Sequence, residues 1–234
     1  MRILFPLSVN SAVLFALTAL PVSAAEQHNW NGIYAGGHVG GAWGMHDATI
    51  IPDINIVPPG TAIAQSPDGV LAGGQVGFNA QMGSWLLGIE GTVSWSDVDG
   101  SGHVDSTSFP GASIHTVSDT NWIATFVGRL GYTLDDTLLY VKGGVAYFDF
   151  DFRGSATFNG VEQGGASVSG GRTGWTIGAG IEFPLSPAWS ARLEYDFYDF
   201  ETKQYLFGGD TPIDLDAEFH TVQLGLNYHF NLAP

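Results

Sequence analysis

Residues 85–95 read Trp85-Leu86-Leu87-Gly88-Ile89-Glu90-Gly91-Thr92-Val93-Ser94-Trp95, which alternates with a period of two. Trp85, Leu87, Ile89, Gly91, Val93 and Trp95 fall on one face of a strand, and Leu86, Gly88, Glu90, Thr92 and Ser94 fall on the other. A soluble barrel or sandwich turns large apolar residues inward, whereas a membrane barrel turns them to lipid around a polar interior. The spacing of the tryptophans decides between the two. Ten residues at ~3.3 Å per residue, tilted by ~40°, project to roughly 25 Å, the height of the apolar band of an outer-membrane barrel. Trp122 and Tyr132 repeat the spacing. Trp85, Trp95, Trp122, Tyr132, Trp175, Trp189 and Tyr228 are therefore expected to form the aromatic girdles.

Outward from this stretch, eight alternating segments are predicted, at about 31–44, 69–81, 84–96, 120–133, 137–149, 173–184, 188–200 and 218–230. The connections after segments two, four and six are tight (Met82-Gly83, Leu134-Asp135-Asp136 and Leu185-Ser186-Pro187). Those near 45–68, 97–119, 150–172 and 201–217 are long. Short periplasmic turns alternating with long outer loops predict an all-β fold, an eight-stranded antiparallel transmembrane β-barrel with four long outer loops. With 33 Gly, no Cys and 13% charged residues, the chain is rich in what curved strands use and poor in what helices use.

Residues 1–25 read as a signal peptide: Arg2, a mostly apolar run from Ile3 to Leu20, then the small residues Ser23-Ala24-Ala25 at a cleavage site after Ala24 or Ala25. The polar interruptions Ser8, Asn10, Ser11 and Thr18 favour this over an anchoring helix. Residues 26–234 are then the barrel. A formal charge of −16 makes nucleic acid a poor partner and favours cations or basic partners.

Asn29-Trp30-Asn31-Gly32-Ile33-Tyr34-Ala35-Gly36-Gly37 resembles the opening strand of small OmpA-like outer-membrane barrels, above all the porin-family proteins of alphaproteobacteria. Gly225, Tyr228 and Phe230 are similar to the C-terminal signal that the barrel-assembly machinery reads in that family, although Asn231–Pro234 extends past the usual aromatic end. The resemblance implies outer-membrane lipid and lipopolysaccharide as surroundings, an extracellular or host ligand as a further partner, and no cofactor. Without a peptidoglycan-binding domain after the barrel, the wall-anchoring role of full-length OmpA does not carry over.

The register places Glu90, Arg129, Lys142, Glu182, Arg192 and Glu194 inside, near the short turns. Three acids and three bases at one depth form either a filled, self-neutralising core, the preferred reading, or a charged gate in a narrow cation-preferring pore. The acidic outer loops (Asp97, Asp99, Asp105, Asp119; Asp210, Asp214, Asp216, Glu218) read as a solvated surface rather than a defined cation site. His46, His103 and His115 are assigned to loops and His38, His220 and His229 to strands, without the close pairing or shared spacing of a zinc site, so no metal set is predicted. An enzyme would need a nucleophile, a histidine and an acid at one height on the rim. His220 with Ser169 or Asp216 is the nearest approach, and it supports no catalytic assignment. The expected role is structural, in envelope integrity, or in surface interaction.

Overall fold

The computed structural model describes residues 28–50, 61–106, 109–207 and 211–230. The segment read as a signal peptide and Asn231–Pro234 lie outside the described residues, as does Asp210. The strands are β1 (Gly32–Ile50), β2 (Thr61–Gln65), β3 (Asp68–Met82), β4 (Trp85–Asp105), β5 (Ala112–Leu134), β6 (Thr137–Phe158), β7 (Val161–Pro184), β8 (Trp189–Phe207) and β9 (Thr211–Phe230). All pairings are antiparallel, and β1 closes the sheet on β9 from Ile33↔Phe230 to Ile50↔Ile213. Both β2 and β3 pair with the same edge of β1, His46↔Gln65 just above Trp43↔Asp68. They occupy one position in the ring, interrupted at Ser66-Pro67 because proline has no N–H for the ladder. The ring therefore has the eight strands expected.

The short turns are as read, with Gly83 (φ 62°) and Asp135 (φ 53°) in the left-handed region that a tight turn requires. The long connections are not open loops. Most of 97–119 and 150–172 continues as strand, so β4–β5 and β6–β7 form hairpins that rise beyond the expected span. The β6–β7 hairpin turns at Asn159 (φ 50°) and Gly160 (φ 77°), an Asn-Gly pair suited to a two-residue turn.

The longest strands meet two solvents, and on β5, β6, β8 and β9 the pattern inverts between them. Along β6, Leu139, Val141, Val145 and Tyr147 face out while Lys142 and Ala146 face in. Beyond Tyr147 the same parity puts Phe148, Phe150 and Phe152 inside and Asp149, Asp151 and Arg153 outside. On β8 the change lies between Phe197 and Asp199, and on β9 between Val222 and Glu218. On β5 it is accompanied by a bulge, where the register slips between Thr120 and Trp122. The lower stretch is a membrane strand and the upper one is a strand of a water-soluble barrel.

Aromatic rings mark both ends of the apolar belt. Trp85 meets Tyr132 edge-on at 5.1 Å, Trp189 meets Tyr228 at 5.2 Å, and Tyr228 meets Phe230 at 4.9 Å. At the outer end Trp95 stands opposite Trp122, which packs on Tyr147 at 5.2 Å, while Trp175 packs on Phe197 at 5.4 Å.

Two outward-facing valines test where the belt ends. Val141 (53% exposed) lies within it and Val117 (41% exposed) lies above it. In urea unfolding from phospholipid vesicles, Val141→Arg is expected to cost about 2–4 kcal/mol and Val117→Arg no more than about 1 kcal/mol.

Candidate functional site

The lumen narrows to side-chain width, and the six predicted charges meet there, all buried. Arg129 and Lys142 are register partners on β5 and β6, and Glu182 and Arg192 on β7 and β8. Glu90 lies between three cations: Arg192 Nη1 at 2.6 Å, Arg129 Nη1 at 3.5 Å and Lys142 Nζ at 3.8 Å. Lys142 also reaches Glu194 at 2.5 Å, and Arg129 reaches Glu182 at 3.1 Å. Removal of these groups from water is tolerable because each is answered by an opposite charge and the carboxylates accept further hydrogen bonds, although Arg192 Nε and Nη2 are buried without a hydrogen-bond partner among the described residues.

Several members of the network were not singled out from the sequence. Asp196 Oδ1 lies 3.1 Å from Lys142, which sets four carboxylates against three cations. Tyr34 donates to Glu90 at 2.7 Å, Tyr140 donates to Glu194 at 2.7 Å, and the Arg129 guanidinium lies over the Tyr140 ring at 4.0 Å and also bonds the Tyr34 hydroxyl. Ser190 and Asn227 donate to Glu182 at 2.5 and 2.6 Å. The sequence signal for the tyrosines lies across the strand. A Cβ on Gly77 would come within 2.3 Å of the Tyr34 ring, and one on Gly180 within 2.4 Å of the Tyr140 ring. These glycines leave the space in which each phenol lies flat along the wall.

Two apolar layers enclose the charges, and neither was expected, since the interior was read as polar throughout. Above them lies a buried cluster that includes Leu71, Ile123, Phe148, Phe150, Phe152, Phe200 and Phe219. Phe148 packs on Phe200 at 4.3 Å and on Phe219 at 5.8 Å. Below them lie Trp30, Leu86, Leu138 and Tyr140. Trp30 precedes β1 instead of lying in its wall and is fully buried under the barrel mouth. Its backbone N–H donates to Gln81 Oε1 at 3.1 Å, and the His28 backbone N–H donates to Asp136 Oδ1 at 3.0 Å.

The remaining predicted positions are spread out. Gly225 faces the lumen beneath the Arg192 side chain, whereas Tyr228 and Phe230 face outward at the lower rim. His220 is in the aromatic belt, stacked on Trp43 at 5.8 Å and sharing a 2.7 Å hydrogen bond with Tyr195, while Ser169 stands opposite Asp151. Outside, Asp68, Asp99, Asp119 and Asp151 form consecutive register partners across four strands. Slight burial and the Asp119 carboxyl opposite push the Asp99 carboxyl up from its ordinary value. Arg153 offsets part of the row, 3.3 Å from Asp119. His103 and His115, both within the connection 97–119, face each other on the β4–β5 hairpin.

Residues 12–230 match the model of the family described as the outer membrane protein beta-barrel domain. The chain belongs to this family. It is a protein of the bacterial outer membrane, and its relatives carry the same location in their names. It is 29% identical to the 31 kDa outer-membrane immunogenic protein of Brucella melitensis over 223 residues, covering 92% of this chain and 88% of that one. It is 26% identical to the 25 kDa outer-membrane immunogenic protein of Brucella abortus over 230 residues (94% and 92%). The 22 kDa outer membrane protein of Rhizobium leguminosarum bv. viciae is 30% identical over 162 residues (68% and 66%). Among solved structures, the outer membrane protein OprG from Pseudomonas aeruginosa superposes with a TM-score of 0.53 at 14% identity, covering 87% of this chain and 98% of that one, which supports the shared fold.

Removal of one cation from the network strands its carboxylates. Arg129→Ala is expected to destabilise the folded barrel by about 3–5 kcal/mol. A double-mutant cycle with Glu182→Gln, followed by urea unfolding, is expected to recover part of that loss through a non-additive coupling.

Proposed function

We propose that this protein is a sealed, non-catalytic barrel that stabilises the envelope and presents its projecting acidic hairpins as an interaction surface. The single observation that carries this reading is the filled lumen. A phenylalanine layer, a cross-linked charge network and the Trp30 cap lie in series along the axis. A pore would need all three to move. Lipid contacts the exposed apolar belt, and lipopolysaccharide headgroups meet the rim where Asp97, Asp149 and Asp199 follow the last aromatics. Tyr228 and Phe230, displayed side by side at the lower rim, suit recognition by the assembly machinery. The absence of catalysis is supported by His220, whose ring is held by Tyr195 and Trp43 in the belt.

One feature favours the alternative of a gated, cation-preferring pore: Lys142 lies within 3.8 Å of three carboxylates and can exchange among them. Planar-bilayer recording separates the two. The refolded protein is expected to insert without discrete conductance steps. Cation-selective steps in the unaltered protein that change in Glu90→Ala and Arg129→Ala would replace the sealed barrel with the gated pore.

A further inference from the structure

The β4–β5 hairpin carries a histidine rung that the sealed-barrel reading does not use. His103 and His115 are direct cross-strand partners, and their rings lie 4.4 Å apart between centroids. Each ring is held from its own strand, two residues away. His103 Nε2 lies 3.0 Å from Asp105 Oδ1, and His115 Nε2 lies 3.3 Å from Ser113 Oγ. Asp105 and Ser113 are themselves register partners, so the four side chains occupy two successive rungs of one hairpin face. Ser113 is anchored in turn by Thr157 on β6, at 2.7 Å. Among the described residues, neither histidine Nδ1 makes a hydrogen bond. The His103 side chain is 47% exposed and faces water above the membrane belt.

We propose that this rung is a transition-metal site, at which His103 and His115 chelate one Zn²⁺, Ni²⁺ or Cu²⁺ ion through their Nδ1 atoms. Imidazole nitrogen suits these ions, which it binds at ~2.0–2.1 Å. The contact between Asp105 and His103 Nε2 is the outer-shell arrangement that fixes the tautomer and orientation of a metal-bound histidine. Both rings are on the exposed side of a paired hairpin, so rotation about their side-chain bonds can turn the two Nδ1 atoms onto one ion without backbone movement. No group of three or more ligating residues is placed to hold a metal among the described residues, so water completes the coordination shell. The aspartate row at Asp99 and Asp119, nearer the membrane on the same hairpin, raises the local cation concentration.

The test uses untagged full-length protein in detergent micelles, titrated with Zn²⁺ by calorimetry and with Cu²⁺ by electron paramagnetic resonance. One ion per chain is expected, with two nitrogen ligands in the Cu²⁺ spectrum. His103→Ala and His115→Ala should each weaken binding by about tenfold or more, because a single remaining imidazole loses the effective-concentration gain of the chelate, and the double variant should show no saturable site. Retention of the boiling-dependent shift in SDS mobility shows that each variant is folded, and His220→Ala, in the aromatic belt, should bind like the unaltered protein. Absence of saturable binding, unchanged affinity in both single variants, or independent loss of half the sites in each would overturn the proposal.

Discussion

In hydrocarbon, each backbone N–H and C=O must find a protein partner, and a closed ring of strands satisfies them all without leaving an edge. That requirement sets the rest of the molecule. An eight-stranded ring encloses only enough room for side chains, so whatever faces inward must pack and neutralise itself there. The lumen of this chain meets the condition with Glu90 shared among Arg129, Arg192 and Lys142, and with Glu182 and Glu194 each tied to cations and neutral donors. The wall glycines follow from the same shortage of space: Gly77 and Gly180 leave the volume that Tyr34 and Tyr140 need to reach those carboxylates.

The strands are longer than the membrane is thick, and the inversion of their faces follows from that length. Within the belt, lipid takes the apolar side and the charged network takes the polar side. Above it, water reaches the outer face, and the apolar residues turn in to form the phenylalanine layer. One alternating chain thus builds a membrane barrel and a short water-soluble barrel on a common axis. The upper barrel stacks its apolar core on the charge network of the lower one, and this stacking closes the lumen while it supports the hairpins.

The ring order, the strand positions within the belt and the depth of the six charges were legible because a period of two and the distance between aromatics are local properties of the chain. The phenylalanine layer was harder to read. Phe148, Phe150 and Phe152 keep the parity of Lys142, but they change its chemistry, and a pattern read as one solvent regime ends where the second begins. Asn159-Gly160 did carry a hairpin signal inside a stretch read as loop. Trp30 was placed in the opening strand only by resemblance, since the alternating pattern begins at about residue 31. Its place under the mouth depends on Gln81, a partner distant in sequence. The pairing of His103 with His115 likewise depends on a register that only the extended hairpin establishes.

The chain contains no cysteine, so a single introduced thiol reports on its own surroundings. Ala146, buried on the lumen wall between the charge network and the phenylalanine layer, and Ser101, exposed on the β4–β5 hairpin, make a decisive pair. In vesicles carrying the folded protein, Ser101→Cys should react readily with a small membrane-impermeant thiol reagent, and Ala146→Cys should remain unmodified until the barrel is unfolded. Rapid modification of Ala146→Cys in the folded barrel would contradict a sealed lumen.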